Sequence, residues 1–229
     1  MSRHTAPVLL LLTALTLLAG PAPARAADLV TVTGLDEEFT PEQRAKLLEA
    51  LALANRVMAS PGLRARLSAI DAFSYSRSDG ATVHRDLVSR TYALRFEGVA
   101  QYAVNFFGIK RASKMVASTG HGSGQITFNT LRMHEFPASY YAGTIVHELS
   151  HICTDSSSGR GYSHRGNRPT AANQRSVPYR VGELVAELAQ ANEGAGPEAA
   201  APGRGLTGAV APDAGPADAG PAGAEQRAR

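Results

Sequence analysis

Apolar residues follow a helical spacing in the segment that begins near residue 40. Thr40, Pro41 and Gln43 form a helix-start pattern, in which the threonine side chain caps the first turn and proline occupies its first position. The helix is predicted to end at the Ser-Pro-Gly run of residues 60–62 and to bury one apolar face, made of Leu47, Leu48, Leu51, Ala54, Val57 and Met58. We expect this helix to pack in the core and a shorter helix to follow over residues 63–70.

Alternation of apolar and polar residues predicts strands further along the chain. Residues 92–96 alternate as a strand does, whereas residues 99–107 fit either a helix or a strand. The polar stretch 74–82, which contains an Asp-Gly pair, predicts a turn or loop. A second polar, glycine-rich stretch, 118–124, is expected to be flexible, and it leads into residues 125–129, which again alternate like a strand.

Residues 147–151 read His-Glu-Leu-Ser-His and lie in a segment that is expected to be helical from about 137 to 153. Helical positions four apart differ by about 40° around the axis, so His147 and His151 project from one face. Two imidazoles at this spacing can bind one Zn²⁺ ion. Glu148 lies beside them and can accept a proton from a zinc-bound water.

A catalytic zinc site needs a third protein ligand. His164 is the ligand that we expect, because the glycines around it allow the chain to turn back towards the end of the motif helix. Asp155 is an alternative, since it would share the metal face if the helix continued. Glu183 or Glu187, spaced four apart on a predicted helix over 179–190, also remain open.

Further residues near the motif are candidates for supporting roles. Tyr162 and Tyr179 are candidates for the donor that stabilises a tetrahedral oxyanion. His121, in the polar stretch before the last strand, is either a substrate contact or a solvated loop residue. Cys153 is the only cysteine, which excludes an intramolecular disulfide. Its place on the helix, roughly 200° from His151, predicts a buried apolar role instead.

Both ends of the chain lie outside the expected domain, which spans residues 27–192. Residues 1–26 have a basic start, an apolar stretch and an Ala-Arg-Ala cleavage pattern, so they are predicted to be a signal peptide, with an uncleaved anchor as the alternative. We therefore expect a secreted or periplasmic protein. Residues 193–229 consist mainly of Ala, Gly and Pro and are predicted to form a disordered tail.

The charge of the chain narrows the range of partners. A formal net charge of +3 is too small to indicate binding to nucleic acid or to an anionic membrane. We therefore expect no nucleic-acid partner, and no membrane partner once the signal is removed. The expectation of a peptide or protein substrate comes from the H-E-x-x-H motif instead. The sequence does not specify the oligomeric state.

Several runs together resemble secreted bacterial zincin metallopeptidases; they are residues 126–129, 131–133, 144–151, 161–164 and 176–179. Gly-Tyr-Ser-His at 161–164 resembles the end of the metzincin motif H-E-x-x-H-x-x-G-x-x-H, whose last histidine is the third ligand. Here residues 154–160 are inserted, so that the second and third ligands are 13 residues apart rather than 6. A weaker resemblance, to deuterolysin-like aspzincins, rests on Thr154-Asp155 and Gly161-Tyr162 and implies an aspartate ligand.

The resemblance implies an α+β fold, with a small mixed sheet whose edge strand lies beside the H-E-x-x-H helix. Residues 126–129 are expected to be that edge strand and to pair with an extended substrate. It further implies a zinc-dependent metallopeptidase, in which Glu148 is the general base and His147, His151 and His164 bind the metal. The alternative is a secreted zinc-binding or metal-free interaction module without turnover. It applies if the insertion disrupts the third ligand or a fourth protein ligand closes the site.

Overall fold

The computed structural model describes residues 28–104, 109–120, 123–166 and 170–193. The predicted signal peptide, the predicted tail beyond residue 193 and His121 lie outside these residues. Among the described helices, none is both long enough and apolar enough to cross a membrane.

A mixed sheet of four strands forms one layer of the fold. The strands, in chain order, are β1 (Val30–Leu35), β2 (Tyr92–Val99), β3 (Tyr102–Val104), β4 (Lys110–Ala112), β5 (Ala117–Thr119) and β6 (Gln125–Asn129). The sheet has the lateral order β1-β2-β6-β5, in which β5 is antiparallel to β6 and the other three strands are parallel. β3 and β4 pair separately as an antiparallel ribbon.

The helices of the described residues form the second layer. They are α1 (Pro41–Met58), α2 (Pro61–Ser68), α3 (Gly80–Val88), α4 (Ala138–Ile152), α5 (Ala171–Gln174) and α6 (Val177–Glu193). The predicted start of α1 is confirmed, because the N–H of Gln43 donates to the Thr40 hydroxyl and the N–H of Thr40 to the Gln43 side chain, at 3.3 and 3.0 Å. The predicted α+β class with a small mixed sheet is confirmed as well.

The core lies between one face of the sheet and the helices. Along β2, Tyr92, Leu94 and Phe96 are buried and alternate with exposed residues, so the sheet buries only one face. The ring of Phe128 on β6 contacts that of Phe96 edge-on, with centroids 5.3 Å apart, and that of Tyr141 on α4 at 6.2 Å. These aromatic contacts hold the motif helix α4 against the centre of the sheet.

The polar stretch 74–82, predicted as a turn or loop, ends in a helix instead. Asp79 caps α3, because its carboxylate accepts the N–H of Thr82 at 2.8 Å. Gly80 follows at a point where a Cβ atom would lie only 1.7 Å from the carbonyl oxygen of Leu67. The Asp-Gly pair thus starts a helix at a tight contact with α2, which a turn signal alone does not distinguish.

The edge strand beside α4 is β5, so the prediction that residues 126–129 form the edge is wrong. Those residues belong to β6, which lies between β2 and β5. Their strand pattern arises from Ile126 and Phe128, which are buried as expected of an inner strand. β5 has only three residues, and their small side chains do not alternate in hydrophobicity, so this edge lacked a sequence signal.

Helix α6 crosses α4 with the two main chains in contact. A Cβ atom at Gly143 would lie 2.4 Å from the carbonyl oxygen of Gly182, and one at Gly182 would lie 3.1 Å from Cβ of His147. At the other end of the pair, the Glu193 carboxylate accepts the N–H of Ser139 in the first turn of α4, at 2.7 Å. The two glycines therefore bring the first turns of α6 beside the motif histidines.

Candidate metal centre and its cleft

Three histidine side chains meet in an open cleft. His147 and His151 project from α4, and His164 comes from the segment that follows it. One ring nitrogen of each lies within 4.8 Å of the other two, and the ring centroids are 4.9–5.4 Å apart. The three side chains are therefore close enough to bind one metal ion.

Each of these imidazoles also donates a ring N–H to a main-chain carbonyl. The acceptors are Pro178 for His147, Tyr162 for His151 and Gly166 for His164, the last two at 2.7 and 2.8 Å. For His151 and His164 the donor is Nδ1, so that Nε2 keeps its lone pair. Metal-binding histidines have this arrangement, since the second hydrogen bond fixes both the tautomer and the ring orientation.

The inserted residues 154–160 form an excursion, that is, a loop whose two ends pair with each other. Thr154 and Gly161 pair as an antiparallel bridge, and the N–H of Asp155 donates to the carbonyl of Arg160 at 2.8 Å. The chain therefore leaves the end of α4 and returns to the same place. Without the excursion, His151 and His164 would be six positions apart in the sequence rather than 13.

Gly161 is the point at which the chain returns. A Cβ atom there would lie 1.9 Å from the carbonyl oxygen of His151, so only glycine allows this approach. The next N–H, of Tyr162, donates to the carbonyl of Ser150 at 3.1 Å. These contacts join the returning chain to the last turn of α4 and direct His164 towards the other two histidines.

The alternative third ligands make other contacts. The Asp155 carboxylate is buried and accepts the Ser78 hydroxyl at 2.7 Å, so it stabilises the insertion. On α6, Glu187 pairs with Arg66 at 2.5 Å, and Glu183 pairs with Arg180 at the rim of the cleft. Among the described residues, none of these three carboxylates belongs to the histidine cluster.

Glu148 is buried beside the histidines, with 7% of its surface exposed. Burial raises the pKa of its carboxyl to about 7, although a hydrogen bond from the N–H of Thr119 in β5 favours the ionised form. Burial also lowers the pKa of His147 to about 3, and the nearby His151 and His164 add to the effect. His147 is therefore neutral at physiological pH, as a metal ligand must be.

The two candidate tyrosines lie in different surroundings. The Tyr162 hydroxyl is buried and donates to Oδ2 of Asp86 at 2.7 Å, and Tyr162 is not among the residues that line the cleft. Tyr179 lines the cleft, and its ring centroid is 4.9 Å from those of both His147 and His164. Of the two, Tyr179 is therefore placed to contact a bound molecule.

The cleft has a volume of about 790 Å³ and two different walls. The helical wall consists of α4 and the first turns of α6. The sheet wall consists of residues 113–119, which include β5. Because β5 is the edge strand of the sheet, it offers main-chain groups with which an extended chain can pair.

Some residues that shape this site were not singled out by the sequence. Asn173 is fully buried, and its side chain donates to the carbonyl of Arg165 at 2.7 Å and to that of Gly166 at 3.2 Å. It thus fixes the carbonyl that orients His164. The short helix start at Thr170 was its only local signal, and that signal does not reveal the tertiary contact.

No family model matches the chain, and neither a curated protein nor a solved structure does.

Proposed function

We propose that this protein is a zinc-dependent metallopeptidase with a zincin-like fold, which acts outside the cytoplasm. The observation that carries the proposal is the histidine cluster, in which each ring is oriented by a main-chain carbonyl. Three imidazoles form the ligand set of several catalytic zinc sites, in which a fourth position stays open. The cluster lies in a cleft that is open to solvent, which favours an enzyme over a closed structural site.

His147, His151 and His164 would hold the zinc ion. When bound, zinc supplies Lewis acidity, which activates water and polarises a carbonyl group. Glu148 accepts the proton of the attacking water and delivers it to the leaving amine. Its pKa of about 7 in the metal-free protein arises from burial, and a neighbouring cation lowers that pKa and favours the ionised base.

Tyr179 takes the role of oxyanion donor in this proposal. Its ring lines the cleft and contacts the rings of both His147 and His164, whereas the Tyr162 hydroxyl donates its hydrogen bond to Asp86. The substrate is a polypeptide in an extended conformation, which lies between the helical wall and β5. The secretion signal predicted at residues 1–26 supports action on extracellular or periplasmic proteins.

The proposal is tested by zinc content and hydrolysis measured on the same preparations of the full chain. We expect about one zinc per chain and cleavage of fluorescein-labelled casein that a chelator abolishes and zinc restores. Glu148→Gln should retain zinc but lower the rate by roughly 10²–10⁴-fold, the usual contribution of a general base. Glu183→Gln, which changes the other carboxylate of the cleft, is the matched control and should stay close to the parent.

Two outcomes contradict the proposal. Unchanged hydrolysis in Glu148→Gln would remove the assigned base. A zinc-loaded parent that cleaves neither casein nor a random peptide mixture would favour the alternative, a zinc-binding interaction module without turnover.

A further inference from the structure

A buried carboxylate that the proposed mechanism does not use lies close to the metal ligands. Asp86 belongs to α3 and has 6% of its surface exposed. Its Oδ2 atom accepts two hydrogen bonds, from the Tyr162 hydroxyl at 2.7 Å and from the N–H of Ser156 at 2.9 Å. The nearest cationic group, on Arg85, is 3.8 Å away from Oδ1 and largely exposed. The charge of Asp86 is thus stabilised mainly by these two donors.

These two donors lie on either side of the point where the chain returns to α4. Ser156 belongs to the inserted excursion, and Tyr162 follows Gly161 directly. A single atom of Asp86 therefore ties both strands of the excursion to α3. Because α3 packs against α2, this contact ties the returning chain to a further helix of the domain and not only to α4.

Main-chain contacts of Tyr162 couple its own position to those of His151 and His164. Its carbonyl accepts Nδ1–H of His151 at 2.7 Å, and its N–H donates to the carbonyl of Ser150 at 3.1 Å. His164 follows two residues later. A displacement of Tyr162 would consequently rotate the ring of His151 and move His164 together.

We propose that Asp86 is a positioning residue for the metal centre. Through the side chain of Tyr162 it fixes the positions of His151 and His164 relative to each other. Asp86 does not contact the metal. It fixes the two histidines before the ion binds, so that their side chains lose less conformational entropy on binding. The inference rests on the metal site of the proposed function, but it does not depend on peptidase activity.

The test is the zinc dissociation constant of the full chain, measured by competition with a chromophoric chelator. Tyr162→Phe removes only the hydroxyl and should weaken zinc binding by about tenfold, the lower range for outer-shell partners of a metal site. Asp86→Ala should weaken it at least as much. In Asp86→Asn the amide oxygen can still accept both hydrogen bonds, so this variant should restore affinity to within about threefold of the parent.

Tyr141→Phe is the matched control. Tyr141 is also a buried residue, and its hydroxyl donates to the carbonyl of Arg132 at 3.1 Å, outside the histidine cluster. Both tyrosine variants should lower the melting temperature of the metal-free protein, but only Tyr162→Phe should change zinc affinity. The visible spectrum of the cobalt-loaded protein gives a second readout, because it reports ligand geometry and should change only in Tyr162→Phe and Asp86→Ala.

The outcomes separate the possibilities. If Tyr162→Phe and Tyr141→Phe bind zinc within twofold of each other, Asp86 has only a structural role and the inference is overturned. If Asp86→Ala does not fold, Tyr162→Phe alone tests the inference, because this variant keeps both the aromatic ring at position 162 and the carboxylate of Asp86. A parent that binds no zinc overturns both this inference and the proposed function. A parent that binds zinc without hydrolysis overturns the peptidase alone.

Discussion

The helical wall of the cleft is held by close main-chain contacts, whereas the sheet wall rests on a short edge strand and a few polar side chains. At the crossing of α4 and α6, two glycines meet and buried apolar residues surround them. In the sheet wall, no residue from 113 to 119 is fully buried. Asn129 and Arg132 support that segment mainly through its carbonyls, at 2.7–3.2 Å.

This difference matches two different tasks. Metal ligands have to be fixed before the ion binds, and a tightly packed helix pair provides that rigidity. A wall with few buried contacts opens locally at low cost in free energy, which suits a surface that receives varied chains. Under the proposed function, metal affinity depends mainly on the helical wall and substrate selection on the sheet wall.

The largest expected effect concerns the ligands themselves. His164→Ala removes one of the three proposed protein ligands. Zinc sites typically have a binding free energy of roughly 10 kcal/mol, and the loss of a third of it, about 3 kcal/mol, should lower zinc affinity a hundredfold or more. His134→Ala changes an exposed histidine outside the cleft and should leave affinity unchanged. Isothermal titration with zinc distinguishes them, and equal affinities would contradict the three-histidine site.

A smaller effect is expected where the helices cross. Gly143→Ala places a methyl group 2.4 Å from the carbonyl oxygen of Gly182, so α6 has to move away. The free energy of unfolding should fall by about 1–3 kcal/mol, as for overpacked cores. Zinc affinity should fall too, because His147 loses its bond to Pro178. Gly62→Ala, where the nearest atoms are 3.7 Å away, is the control. Urea denaturation that shows no difference between the two would contradict the tight crossing.

On the sheet wall we expect a loss of activity without loss of metal. Thr119→Pro removes the N–H that donates to Glu148, and an edge strand tolerates proline. Hydrolysis should fall by about tenfold, in line with about 1.5 kcal/mol for a hydrogen bond to a charged group, while zinc affinity stays the same. Thr119→Val loses the hydroxyl but keeps the N–H, so its rate should stay close to the parent. Zinc loss in the proline variant would contradict the division between the walls.

The smallest effect is expected in the inserted excursion. Two extra glycines between Ser157 and Ser158 lengthen a loop whose ends are already paired, which costs well below 1 kcal/mol in loop entropy. Zinc affinity should change by less than about threefold. The same two glycines placed directly after Gly161 separate the bridge from His164 and should weaken binding strongly. Equal effects at the two positions would show that the excursion is not closed in solution.

The sequence predicted the helices and the composition of the histidine cluster better than it predicted the walls of the cleft. The start of α1 followed from Thr40, Pro41 and Gln43, because capping depends on residues that are neighbours in the chain. The span of α4 likewise agreed with the prediction of about 137–153. His147 and His151 were paired by the period of one helix, which is also a local property.

The remaining features depend on contacts between distant segments. β5 is recognisable only by its pairing with β6, since its three residues lack an alternating pattern. Asp86 and Asn173 act on residues that the fold, not the sequence, brings near. Tyr162 was singled out for its place two residues before His164, but its hydroxyl donates to Asp86, a residue 76 positions away that the sequence does not bring near it.

The bridge between Thr154 and Gly161 has a consequence for how such proteins are recognised and modified. A search pattern that allows only two positions between the second histidine and the glycine does not match this chain, whereas a pattern with a variable gap there does. Where the two ends of a loop pair with each other, the number of residues between two positions does not indicate their distance in space. Residues 156–160 of the same loop are exposed, so they also offer a place to attach a dye or an affinity tag without displacing the three histidines.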